Sequence, residues 1–201
     1  MTALINADTA SGVVITSDTS GNLALQSAGT TKMTVGTSIT MNTGGLITSG
    51  TAVASTSGTS IDFTSIPSWV KRITVMFNGV STNGASNMLV QIGSGSVTTS
   101  GYASAGAVVY GTNQTALLTS TQGFFIYMDL ASDLRNGAVV LCLLSSNTWV
   151  ASGNIIASGT GRSASVGGNI ALGGTLDRVR ITTVNGTDTF DAGSINILYE
   201  G

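Results

Sequence analysis

The chain has 201 residues, 8 % of them charged, with a net charge of −2 and no histidine. A charge share this far below the usual quarter or so, with no basic stripe, excludes nucleic acid as a partner, and the lack of imidazole excludes a histidine-based triad. Glycine, 27 of 201, is near twice its usual share of about 7 % and marks frequent turns, hence an all-β chain.

Residues 1–54 read as one organisational unit. Val13-Val-Ile15, Leu23-Ala-Leu25 and Met33-Thr-Val35 are apolar–x–apolar triplets spaced ten residues apart. Ser17–Gly21 and Ser27–Thr31 are the turns between them. Ile39-Thr-Met41 and Leu46-Ile47 continue the pattern less regularly. Alternation gives each short strand one apolar face, and strands this short build no core in a single copy. The expectation is therefore a homotrimer, with Val13, Ile15, Leu23, Leu25, Met33 and Val35 at the interface between copies. A disordered Ser/Thr/Gly linker is the competing reading, disfavoured by the regular triplets.

Thr48 to Ser60 reads as a connection, and residues 55–201 as a second, larger unit. Pro67 fixes its own φ and holds Ile66 extended, a corner leading into the strand Ile73–Phe77. Further strands are expected at Ile61–Phe63, Met88–Ile92, Ala107–Tyr110, Gly123–Leu130, Gly137–Ser145, Thr148–Ala151, Asn154–Ala157, Ile170–Leu172, Val179–Val184 and Ser194–Tyr199. Asn78-Gly79, Asn83-Gly84, Asn136-Gly137 and Asn185-Gly186 are the turn signals between them. Val139–Leu144 is apolar throughout and reads as a central strand buried on both faces. Cys142, the single cysteine, reads as core. Asp129–Arg135 is short enough for one helical turn. Many short strands with closely spaced turns indicate a jelly-roll-like β-sandwich.

Chemistry is sparse. Asp188 and Asp191, three residues apart in Asn185–Asp191, match a calcium loop less well than a plain turn. Gly159-Thr-Gly-Arg162 and Gly167-Gly168 precede no helix, so no phosphate loop is expected, and no cofactor or metal. No run is long enough to span a membrane, and no signal peptide is expected. Tyr102 and Trp149, read as loop aromatics, and Arg162 are the ligand candidates. The rings can stack on a sugar, but core or subunit packing is the favoured role. Lys71-Arg72 reads as an exposed strand edge or an ion-pair partner of Asp62.

The run Ala7–Val35 resembles a segment of tail-fibre and other virion proteins of tailed bacteriophages. Ile61-Asp-Phe-Thr-Ser-Ile-Pro-Ser-Trp-Val-Lys-Arg-Ile-Thr-Val75, with Gln91-Ile-Gly93 and Ser100-Gly-Tyr102, is similar to a phage structural domain. The resemblance implies a virion component, commonly a homotrimer, whose N-terminal part binds the particle. It implies no catalytic residues. Three functions follow as alternatives. One is a short tail fibre touching host surface glycan, and another a capsid decoration or head-fibre protein. The third, a glycan-cleaving enzyme, fares worst because no carboxylate pair stands out.

Overall fold

The structure, a computed structural model, describes residues 23–35, 39–41, 47–110 and 114–201. Val13 and Ile15 of the expected interface lie outside the described residues. The chain divides into two units, Met1–Gly45 and Leu46–Gly201. The described residues are all-β, with no helix.

The first unit holds β1 (Leu23–Ser27), β2 (Thr30–Val35) and β3 (Ile39–Met41), an antiparallel sheet in sequence order. The expected five-residue turn contracts to two residues, because Ser27 pairs with Thr30. Ala28 and Gly29 both have positive φ, 50° and 73°. That is the conformation of a tight hairpin turn whose twist matches the flanking strands. The register sets Leu23 opposite Val35 and Leu25 opposite Met33, with a bulge after Leu25. Directly opposed residues share a face, so these four side chains stand together. Ile39 and Met41 occupy the register positions opposite Val35 and Met33.

The second unit begins earlier than the sequence implies. β4 (Thr48–Ser49) and β5 (Val53–Ala54) both pair with the last strand, β17 (Phe190–Glu200), so residues 48–54 belong to the larger body. Ser55 adds to this edge, donating from its hydroxyl to the Ala192 carbonyl at 2.8 Å. The remaining strands are β6 (Ser60–Thr64), β7 (Arg72–Thr82), β8 (Met88–Ser94), β9 (Ser96–Val97), β10 (Ala103–Tyr110), β11 (Gln114–Ser120) and β12 (Phe124–Ile126). They continue with β13 (Leu134–Ser145), β14 (Thr148–Ser158), β15 (Arg162–Ala171) and β16 (Arg178–Thr183). A nine-stranded antiparallel sheet runs β11-β10-β15-β14-β13-β7-β17-β4, with β5 also on β17. A five-stranded sheet runs β12-β8-β16-β6, with β9 on β8.

One core joins the two sheets. Ile73, Val75 and Phe77 of β7, Val139 and Leu141 of β13 and Ile155 of β14 meet Val90, Ile92, Val179, Ile181, Ile61 and Phe63 of the smaller sheet. These branched and aromatic residues recur at alternate positions, the period that sends them to one face. Each side chain fully buried this way contributes about 1.5–3 kcal/mol of transfer free energy. Pro67 does form the corner before β7: the Ile66 N–H donates to the Asp177 carbonyl at 3.0 Å and the Val70 N–H to that of Pro67 at 3.1 Å.

Several expectations are corrected. Asn78-Gly79 does not end a strand. It is a bulge within β7, where Gly79 has φ +63° and donates its N–H to Asn136 Oδ1 at 2.8 Å. Asn136-Gly137 likewise lies inside β13, because both strands continue pairing past it. β14 is continuous where two strands were expected, and β11 was not foreseen at all. Asp129–Arg135 makes a reverse turn, with the Asp133 N–H donating to the Leu130 carbonyl at 3.2 Å, and no helix. Val139–Leu144 is central, between β14 and β7, but buried on one face only. Val139 and Leu141 point into the core, while Val140 and Cys142 face outward and are half-buried. Cys142 is therefore outside the core that was expected to hold it.

Candidate functional site

Tyr102 and Trp149 are both 2 % exposed. Neither ring is free to stack on a sugar; both belong to the core between the sheets. Tyr102 precedes β10, and its ring turns inward onto Phe124, edge to face at 5.1 Å between centroids. Its hydroxyl accepts from the Ile92 N–H at 2.8 Å and lies 3.2 and 3.1 Å from the Ile92 and Thr98 carbonyls. The phenol thus ties the start of β10 to β8 and to the loop after β9. Burial pushes its pKa up to about 12, partly offset by the bond from Ile92. Trp149 lies within β14, not in a loop, and its buried indole N–H has no acceptor among the described protein atoms.

Arg162 begins β15 after the tight turn through Gly159 and Gly161, both with positive φ. It ion-pairs with Asp129 and lies 3.6 Å from Asp133. Arg135, fully buried on β13, bonds Asp133 at 3.2 Å and the Met128 sulfur at 2.9 Å, and lies 3.7 Å from Asp129. Burial lowers the Arg135 pKa, and the Asp133 charge opposes that shift. Two cations and two carboxylates neutralise each other here, closing the end of the core beside the Asp129–Asp133 turn. Breaking such a buried group by removing one partner leaves an uncompensated charge.

The acids of the 185–191 loop are also engaged. Asp188 accepts from the Ser86 N–H at 3.0 Å and from Asn185 Nδ2 at 2.6 Å. Asn185 Oδ1 in turn accepts from the N–H groups of Thr187 and Asp188, both at 3.1 Å. Asp191 bonds the Ser81 hydroxyl. This is turn chemistry. Among the described residues no three or more His, Cys, Asp or Glu come together to hold a metal.

Several surface charges are paired too. Asp62 takes a bidentate pair from Arg180, at 2.6 and 2.9 Å, rather than from Lys71-Arg72. Arg72 pairs instead with Glu200 at 3.0 Å, since β7 and β17 are neighbours in register. Asp177 is held well below the usual carboxylate range by its hydrogen bonds from Arg178, helped by the Gly95 N–H.

What the surface leaves unmatched is apolar. In the small sheet Leu25 is 38 % exposed, and Leu23, Met33 and Val35 are half-buried. Among the described residues of that unit no second layer covers their shared face. On the body, Leu117 of β11 is 83 % exposed and stands beside an apolar trough of about 660 Å³. Ala105, Thr119 and Gly167 line that trough. β11 escaped notice in the sequence because Gln-Thr-Ala-Leu-Leu-Thr-Ser lacks both alternation and β-branched density. The candidate functional features among the described residues are thus these two faces. No protein-family model matches the chain, and no curated protein or solved structure is significantly similar to it.

Proposed function

We propose that the chain is a structural protein of a tailed-bacteriophage virion, a short homotrimeric tail fibre. The observation that carries this reading is the shared face of Leu23, Leu25, Met33 and Val35, which is apolar and uncovered by the described residues of its unit. An apolar face left in water gains free energy by being covered, and identical copies are the simplest cover. The resemblance of residues 7–35 to virion segments supplies the setting. In this reading the N-terminal unit attaches to the particle and the two-sheet body contacts the host surface, with glycan as the ligand class. The body is then a jelly-roll-like sandwich, consistent with a chain that switches from sheet to sheet through β6, β7, β8, β10, β12, β13, β16 and β17. In this reading the role is structural, and the acids named above are committed to turns and ion pairs.

Antibody labelling of intact particles tests the reading. Label at the tail tip or baseplate is expected. Label distributed over the capsid assigns the chain to head decoration, and particles without label overturn the virion role.

A further inference from the structure

We infer that the outward face of the nine-stranded sheet is a second self-association surface, through which the bodies of neighbouring copies meet. This inference rests on the homo-oligomer proposed above but concerns a different face. The opposed pairs of the sheet place Val140, Cys142, Val150, Ile156, Val109 and Leu117 on its outward side. The outward positions of five adjacent strands, β13, β14, β15, β10 and β11, include no charged residue. The two arginines of those strands, Arg135 and Arg162, point the other way, into the buried ion-pair group.

The smaller sheet is the contrast. Asp62 and Arg180 lie there across β6 and β16 as an exposed pair. An exposed protein surface ordinarily intersperses charges of both signs, so a charge-free expanse several strands wide needs another explanation. Two arguments identify the cover as a second copy of this chain. The first is charge: a face without charge meets its own copy with no like-charge repulsion and no charge to strand. The second is area. Five strands at ~4.8 Å spacing and about ten residues at ~3.3 Å rise give a face on the order of 800 Å². A standard stable interface needs about 800 Å² per partner.

The relief of the face agrees. Leu117 and Val109, 83 % and 54 % exposed, form a ridge. The trough over Ala105, Thr119 and Gly167 lies one pair further along the same two strands. Leu117 is fixed two residues from Thr119 and does not fill its own trough, but a neighbour's ridge can. A ridge-to-trough contact is heterologous and closes into a ring when the rotation between copies is right.

Cys142, the only cysteine, faces outward on β13, the strand of this face farthest from β11, and reports on whether the whole face is covered. The test uses the full-length chain and measures the rate at which an aromatic disulfide labels the thiol, with the unfolded chain as reference. Leu117→Asp is expected to speed labelling on the order of tenfold by opening the face, while the small sheets still hold the oligomer. Leu117 is so exposed that the substitution has little folding cost within one copy. Should that variant not fold, Val109→Asp, on the adjacent strand, carries the same readout. An oligomeric variant whose Cys142 labels at the wild-type rate overturns this inference and leaves the proposed trimer standing. A monomeric wild-type chain overturns both.

Discussion

The two units use the same means to opposite ends. In β1–β2, opposed pairs gather Leu23, Leu25, Met33 and Val35 on one face of a sheet with no second layer among the described residues of its unit. In the body, the same alternation sends Ile73, Val75, Val139 and Leu141 toward a second sheet that meets them with Val90, Ile92, Val179 and Ile181. Residue type and strand period are alike. What differs, among the described residues, is whether the unit supplies the opposing layer, and on the reading proposed above the small sheet takes that layer from other copies. The ridge and trough of β10, β11 and β15 add a gradation, since the body covers its own core yet leaves five strands of its larger sheet without charge on the outward side.

If the body owns its core, damage there must appear in folding stability. Trp149→Ala removes one of the largest fully buried side chains and is expected to cost about 3–5 kcal/mol. Urea unfolding measures it, and a loss below about 1 kcal/mol would place Trp149 outside the cooperative core. Arg135→Ala leaves the 3 %-exposed Asp133 side chain without its nearest cation and is expected to cost about 3 kcal/mol. Arg135→Met, which keeps length and the contact with Met128, is expected to cost less.

Tyr102→Phe probes the tie between β10 and β8. Losing the acceptor of the buried Ile92 N–H is expected to cost about 1–3 kcal/mol at neutral pH. The phenol has a signature of its own. Its pKa is raised in the fold from 10.0 to about 12, so the unfolded chain ionises first. Stability is then undiminished below pH 10 and falls as pH rises toward 12, by roughly 2–3 kcal/mol. The Phe variant is expected to lose that part of the alkaline decline, seen in melting temperature against pH.

The smallest effect belongs to Asp177. Its pKa is lowered in the fold, chiefly by Arg178, so its contribution is present above the unfolded value and fades as pH falls. The pair is largely solvent-exposed, and exposed pairs contribute little. Asp177→Asn should therefore shift melting slightly at neutral pH and by progressively less as the pH falls into the acid range, as differential scanning calorimetry would show.

Legibility in the sequence followed how local each cause is. The ten-residue spacing of the Leu23 and Met33 triplets needs only neighbouring residues, and the structure gives strands at both. Asn78-Gly79 was misread because Asn-Gly has the same backbone preference in a turn and in a bulge; only the partners, β13 and β17, decide. Val139–Leu144 was read as buried on both faces because an all-apolar strand hides which side meets the second sheet. Tyr102 was read as a loop residue from its neighbours Ser100 and Gly101, and what draws the ring inward is Phe124 and the backbone of Ile92, 22 and 10 residues away. The Arg135–Arg162 cluster was half visible. Arg162 attracted notice as a ligand candidate, but its partners come from another turn.

The central claim is that the small sheet finds its cover in other copies. Leu25→Asp sharpens it: a carboxylate on the shared face should dissociate the assembly while leaving the melting of the body unchanged. The most direct measurement is the mass of the intact chain by light scattering at micromolar concentration. Three times 20.1 kDa, about 60 kDa, is expected for the trimer. A stable, well-folded monomer of 20.1 kDa would contradict it.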